Sequence, residues 1–188
     1  VRIGFTGAAS TGKTTTAKDL EALIPERYMP SVARGVMESR GLNEKTALEL
    51  TPRERLELQI AIFEAKVDQD LNNPDGIFDR TLIDQVAYLL IKCNECLPDH
   101  VYTRLRLRAF ESLRQYDVVF YFPVLFKIPY ESDGFRAGGA GYRDMQDMIM
   151  NGLLNFSRVK YRPVPYGTVH VRASHIRKVV ETLRLKGS

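Results

Sequence analysis

The stretch Gly7-Ala8-Ala9-Ser10-Thr11-Gly12-Lys13-Thr14 stands directly after a short apolar run and before a segment with helical character. Its spacing meets every fixed position of a phosphate-binding loop set between a strand and a helix. Gly7 and Gly12 let the backbone turn tightly. The N–H groups from Ala8 to Thr11 can then converge on anionic oxygens at the start of the next helix. Lys13 places a point charge on the β- and γ-phosphates, and Thr14 offers a hydroxyl to Mg²⁺, an ion that takes oxygen ligands. Thr15 closes the binding stretch and, like Thr16, otherwise reads as an ordinary helix residue. Mg·ATP is the expected ligand of such a loop.

The rest of the chain alternates helical and extended patterns. A first helix is expected over about 12–23, and Tyr28-Met29-Pro30-Ser31-Val32-Ala33 reads as a short strand or the extended entry to one. Thr51-Pro52-Arg53-Glu54 is a helix start, with a capping threonine, a proline suited to the first turn and a glutamate able to reach back. Leu56, Ile60, Phe63, Val67 and Leu71 recur at helical spacing behind it, and Asn72-Asn73-Pro74-Asp75-Gly76 stops that helix. Ile77-Phe78 is a brief strand ending at Asp79-Arg80, and helices follow over about 82–93 and 99–114. Asp117 to Phe122 is the clearest buried strand, ended by Pro123. A helix is expected over about 144–158, a last strand at Thr168-Val169-His170-Val171, and a final helix from about Ser174. Five short strands alternating with helices predict an α/β fold: a parallel sheet with right-handed crossovers, covered on both faces.

Ligands of such sheets collect beyond the carboxyl ends of the strands. That rule gathers the phosphate loop, Arg34, Asp79-Arg80, the 123–143 loop and a loop expected near Ala173-Ser174 on one rim, which makes a two-substrate site. Asp79 can bind Mg²⁺ through water, take a proton from an acceptor hydroxyl, or cap the helix that follows.

A chain of 188 residues with 44% apolar content is expected to form one domain across 1–188 and to bury a good core. No segment has the apolar length of a membrane span, and Val1 opens directly on a strand, so a soluble cytoplasmic protein is expected. The formal charge of +4 suits a phosphorylated ligand and is too small to establish nucleic-acid binding. Cys93-Asn94-Glu95-Cys96, with His100 nearby, has no second pair at zinc spacing, so two reduced thiols near a helix end are expected. A guanine-reading Asn-Lys-x-Asp stretch is absent, as is a long apolar run leading into paired acids. A GTPase switch and a strong ATPase motor are therefore disfavoured.

The loop GAASTGKT, the strand-end Asp79-Arg80-Thr81 and the arginine-bearing DGFRAGGAGYR resemble the nucleoside and nucleotide kinases of the P-loop superfamily. Within it the chain is most similar to the branch holding nicotinamide riboside kinase domains and phage deoxynucleotide or DNA hydroxymethylpyrimidine kinase-like proteins. The resemblance implies a three-layer fold with a mobile lid at about 124–143. It also implies that Asp79 and Arg80 serve the metal or the acceptor, and that Arg136 and Arg143 reach the transferring phosphoryl group from the lid. Gly134, Gly138, Gly139 and Gly141 fit a lid, although a solvated surface loop reads the same way. Arg34 corresponds in position to residues that hold the acceptor.

Gln59 is suited to reading a base edge while Phe63 stacks; Phe63 as plain core and Arg34 as a surface charge are the alternatives. Asp84, Gln85 and Tyr88 stand where they can face the acceptor. The implied reaction is transfer of the γ-phosphate of ATP to a nucleoside, a deoxynucleoside monophosphate or a hydroxymethylated pyrimidine in DNA. The basic runs at 104–108 and 175–178 suit DNA, or else a solvated helix face. A P-loop ATPase module coupled to a protein or nucleic-acid partner is the competing function.

Overall fold

A computed structural model of the chain describes residues 1–124 and 140–187. The elements run β1 (Arg2–Thr6), α1 (Lys13–Glu21), β2 (Tyr28–Met29), α2 (Ala33–Ser39), α3 (Glu44–Leu48), α4 (Pro52–Asn72) and β3 (Gly76–Asp79). They continue with α5 (Leu82–Cys93), α6 (Asp99–Leu113), β4 (Val118–Tyr121), α7 (Ala140–Ser157), β5 (Arg162–Pro163) and α8 (Val169–Gly187).

The strands form one parallel sheet in the order β2-β3-β1-β4-β5. β1 is central and buried along its whole length, which is why its sequence is apolar on both faces. Ile3, Phe5, Ile77 and Phe120 face a core shared with Ala17, Leu20, Ala173, Ile176 and Val180 of α1 and α8. Phe78, Val119 and Tyr121 face the larger core, filled by α4, α5, α6 and α7. The three layers expected from the alternating pattern are therefore present, and no described helix is long and apolar enough to cross a membrane.

Thr51 and Glu54 form the reciprocal cap anticipated for α4, with Pro52 in its first turn. Other boundaries differ. The extended segment at Tyr28 lasts only to Met29, because Pro30 has no N–H to continue a ladder. The helices α2 and α3 that follow are additions to the sequence reading. Asn43 caps α3 in a box with Thr46, a partner less telling than glutamate or glutamine.

The strand expected at 168–171 is instead the start of α8, and β5 is Arg162–Pro163, paired with Phe120 and Tyr121. Packing overrides β-propensity here: Ala173, Ile176 and Val180 are fully buried against α1 at helical spacing, and Thr168 Oγ1 accepts from Val171 N at 3.3 Å. A proline is tolerated in β5 because that strand lies at the sheet edge. α7 begins at Ala140 rather than 144, so of the anticipated 124–143 lid only residue 124 and the first turn of α7 are described.

The start of β1 is held by a buried polar knot. Asp70 Oδ1 accepts from Lys66 Nζ at 2.5 Å and Tyr116 OH at 3.0 Å, and lies 3.4 Å from Arg2 Nη2. The Arg2 guanidinium also donates to the Asp70 carbonyl at 2.7 Å and lies over the Phe78 and Tyr116 rings. Burial depresses the Lys66 pKa, with Asp70 pulling the other way. Removing the acid strands two buried cations, so Asp70→Ala should cost about 3–5 kcal/mol. Leu71→Ala, at the exposed neighbouring position, should stay within about 1 kcal/mol. Urea unfolding of both variants checks this, and equal costs would contradict it.

Candidate active site

The phosphate loop departs from β1 at Gly7, whose φ of 141° favours glycine. A Cβ there would stand 2.4 Å from the Phe122 carbonyl oxygen, so the close passage of the chain just after β4 also demands glycine. Gly12, at φ 84°, starts α1 with its face against Arg172 of α8. Arg172 Nη1 donates to the Thr11 carbonyl at 2.8 Å, which ties the loop to α8 from behind. Lys13 is buried, and its Nζ donates to the carbonyls of Gly7 (2.7 Å) and Ala8 (2.5 Å) and to Thr11 Oγ1 (3.1 Å). The ammonium thus lies in the concavity of the loop.

Because β1 and β3 are neighbours in register, Asp79 stands opposite Phe5, one residue from the end of β1. Its Oδ2 accepts from Thr14 Oγ1 at 2.5 Å and from Tyr28 OH at 3.1 Å. Burial and the Asp79 charge push the Tyr28 phenol pKa up, so it stays a protonated donor at neutral pH. Thr81 takes the cap position of α5, leaving Asp79 out of that role. Thr14 and Asp79 set two oxygens side by side, a donor set that fits a hard cation such as Mg²⁺.

Arg80 has φ 94°, a conformation that costs a non-glycine residue on the order of 1–3 kcal/mol. Its N–H donates to the Phe5 carbonyl at 3.0 Å and its Nη1 to Asp84 Oδ1 at 3.3 Å. Burial works against its charge, but Tyr88, Asp84 and Asp79 outweigh it and hold the pKa above the usual guanidinium range.

Asp84, expected to face the acceptor, is fully buried. Its Oδ1 accepts from Gly7 N at 3.2 Å and its Oδ2 from Thr81 N at 2.8 Å and Thr81 Oγ1 at 3.2 Å. Those bonds consume its lone pairs and make it the brace between loop and strand end rather than a substrate contact. Phe63 is likewise withdrawn: it packs wholly in the core with Phe78, and lines no part of the cleft described next.

A cleft of about 620 Å³ opens from Ala9, Thr14, Asp79 and Arg80. Gln59, Leu58 and Ile62 of α4 line it, as do Gln85, Tyr88 and Lys92 of α5. Arg34 and Met37 come from α2, and Tyr142, Arg143 and Gln146 from α7. Arg34, Gln59 and Arg143 therefore share one space with Asp79 and Arg80, while Arg136 lies outside the described residues. Sequence reasoning missed Tyr28, Arg55 and Gln146. Gln146 Oε1 accepts from Ala9 N at 3.0 Å, a contact made across 137 residues with no local signal.

The 104–108 run is not part of this cleft. Leu105 is buried, Arg108 pairs with Glu64 at 2.8 Å, and Arg106 lies over the Tyr102, Phe110 and Phe156 rings. Both cysteines are free, and burial pushes the Cys93 thiol up to about 11. Among the described residues no group of three or more His, Cys, Asp or Glu side chains is placed to hold a metal ion.

Asp84→Ala should destabilise the protein by about 3–5 kcal/mol, since it orphans the Gly7 N–H and the Arg80 charge together. Asp84→Asn, which keeps an acceptor oxygen, should cost less. Chemical denaturation ranks the two; an Asp84→Ala cost under about 1 kcal/mol would contradict the brace.

Residues 2–172 match the model of the AAA domain family. No curated protein matches the chain. Among solved structures, deoxyadenosine kinase from M. mycoides, with products dCMP and a flexible dCDP bound, superposes with a TM-score of 0.70 at 14% identity over 97% of this chain and 100% of that one. NadR in complex with NR gives 0.66 at 20% identity, covering 96% of this chain and 50% of NadR. Shikimate kinase from Acinetobacter baumannii in complex with shikimate gives 0.60 at 13%, covering 96% and 93%. At these identities the likeness is one of fold. The chain belongs to the AAA domain family and has the three-layer fold of the P-loop nucleoside and nucleotide kinases.

Proposed function

We propose that the protein is an ATP- and Mg²⁺-dependent phosphotransferase that moves the γ-phosphate onto a hydroxyl of a nucleotide-type acceptor. The observation that carries this reading is the bond between Thr14 and Asp79, which brings the phosphate loop and the strand-end carboxylate onto a single cleft large enough for a second substrate. An ATPase module needs no such acceptor chamber.

Phosphoryl transfer asks a protein for position and charge rather than covalent work. The loop N–H groups and Lys13 bind the phosphates, and Lys13 exchanges loop carbonyls for phosphate oxygens as it does so. Thr14 and Asp79 would hold Mg²⁺, which supplies charge neutralisation to the phosphates when bound. Arg80 and Arg143, which line the same cleft, are assigned to the transferring group. Arg136 joins them by resemblance. The acceptor oxygen forms a bond to the γ-phosphorus as the bond from that phosphorus to the β–γ bridging oxygen breaks. The hydroxyl proton passes to the Asp79 carboxylate, and ADP leaves.

Gln59 and Arg34 are assigned to the acceptor.

Lys13→Ala should lower turnover by about 100-fold or more and abolish the thermal stabilisation given by Mg·ATP. Asp79→Asn should slow single-turnover transfer far more than it weakens Mg·ATP binding, because its work is on metal and acceptor. Near-normal chemistry in either variant would overturn the assignment.

A further inference from the structure

Within the loop at 7–14, Ala9 and Thr14 are the residues that line the cleft. Thr14 is committed to Asp79 through its hydroxyl. Ala9 therefore marks where the far end of a bound triphosphate, its γ-phosphate, meets the acceptor space.

The Ala9 N–H does not face that space unpartnered. It donates at 3.0 Å to Oε1 of Gln146, a residue of α7 that is 1% exposed and lines the same cleft. A backbone N–H can only donate, so the carboxamide oxygen is fixed at the loop and the amide nitrogen, with its two N–H donors, is the end left over. Among the described residues that nitrogen meets no acceptor.

Gln146 is also held in place. Asp147, the next residue, accepts from Tyr121 OH at 2.6 Å and from Val124 N at 3.2 Å, which ties α7 to the end of β4. Met150, Leu153 and Leu154 anchor the following turns in the larger core. A withdrawn amide with only one end satisfied is costly, and an anionic oxygen entering the cleft beside it removes that cost. Arg143 lines the cleft from one turn earlier on the same helix and supplies charge. Gln146 supplies neutral donors whose direction is set by the Ala9 bond.

Resting on the kinase reading of the loop as a triphosphate site, we infer that Gln146 is a γ-phosphate contact that distinguishes a nucleoside triphosphate from a diphosphate. Its Oε1 stays on Ala9 N while its Nε2 donates to a γ-phosphate oxygen. The loop's row of donors is thereby extended by one side chain toward the acceptor, and a diphosphate ends short of it. The carboxamide takes no part in bond making or breaking and neither gains nor loses a proton.

Gln146→Glu separates this role from that of a mere brace, because it keeps an acceptor for the Ala9 N–H and replaces both donors with a negative charge. Gln146→Leu removes acceptor and donors together. Affinities for Mg·ATP and Mg·ADP are measured by calorimetry on the wild type and both variants, and thermal unfolding is followed without nucleotide. The wild type should prefer Mg·ATP over Mg·ADP, and each variant should lower that preference by about tenfold or more, the usual worth of a hydrogen bond to a charged group. Without nucleotide, Gln146→Glu should unfold within about 3 °C of the wild type, since the Ala9 bond survives. In the wild type, the Gln146 side-chain amide signals, assigned by triple-resonance NMR, should shift with Mg·ATP and stay in place with Mg·ADP, a readout that stands even if a variant fails to fold.

A wild type that binds the two nucleotides equally, a preference unchanged in Gln146→Glu, an equal loss of both affinities in that variant, or amide signals that ignore Mg·ATP would each overturn the inference. Failure of the wild type to bind either nucleotide would instead overturn the kinase reading beneath it.

Discussion

The buried carboxylate of Asp84 is the constraint on which the site depends. It gathers the first N–H of the phosphate loop, the backbone and hydroxyl of Thr81, and the guanidinium of Arg80. A loop that leaves one strand and a turn that leaves its neighbour are thereby locked together at the same sheet edge. With that lock in place, Thr14 at the start of α1 and Asp79 at the end of β3 come within hydrogen-bond distance. Tyr28 of the outer strand clamps the same oxygen from the other side. The positive φ of Arg80 belongs to this arrangement, because the backbone must turn sharply for its N–H to reach Phe5 while its side chain reaches Asp84. Strain of about 1–3 kcal/mol persists where surrounding bonds over-determine it.

Cations are the commonest charged groups around this lock among the described residues. Lys13 lies in the loop, where a triphosphate's charge would be concentrated, and Arg80 is tied to that loop through Asp84. Arg34, Arg55 and Lys92 line the same cleft, as do the buried amides of Gln59 and Gln85. Membership of the AAA domain family and the kinase-like fold establish the scaffold, but scaffolds of this kind carry many activities. The reaction proposed here comes from the residues of the cleft, not from the neighbours' substrates.

Much of this was legible in the sequence because the features concerned are local. The loop spacing, the Thr51-Pro52-Glu54 helix start, the apolar Asp117–Phe122 strand and the Asp79-Arg80 pair each announce themselves within a few residues. The parallel three-layer sheet followed from their alternation. What escaped was decided at long range. Phe63 has the spacing of a cleft residue and of a core residue alike, and only the position of β3 sends it inward. Asp84 looked like a polar residue facing a substrate, but Gly7, 77 residues earlier, claims it. The β-branched run at 168–171 reads as a strand until Ala173, Ile176 and Val180 are seen packed on α1, which draws the helix start back to Val169. Tyr28 and Gln146 carry no motif, since each is recruited by geometry alone.

The central claim is that the cleft delivers the γ-phosphate to an organic hydroxyl rather than to water, and the fate of labelled ATP tests it most directly. The protein is incubated with Mg²⁺, ATP labelled in its γ-phosphate, and nucleosides, nucleotides and oligonucleotides in turn, and the products are separated. The account predicts label on one class of acceptor, ADP formed in equal amount, and little labelled orthophosphate. Label appearing as orthophosphate at the same rate whatever acceptor is present would contradict it.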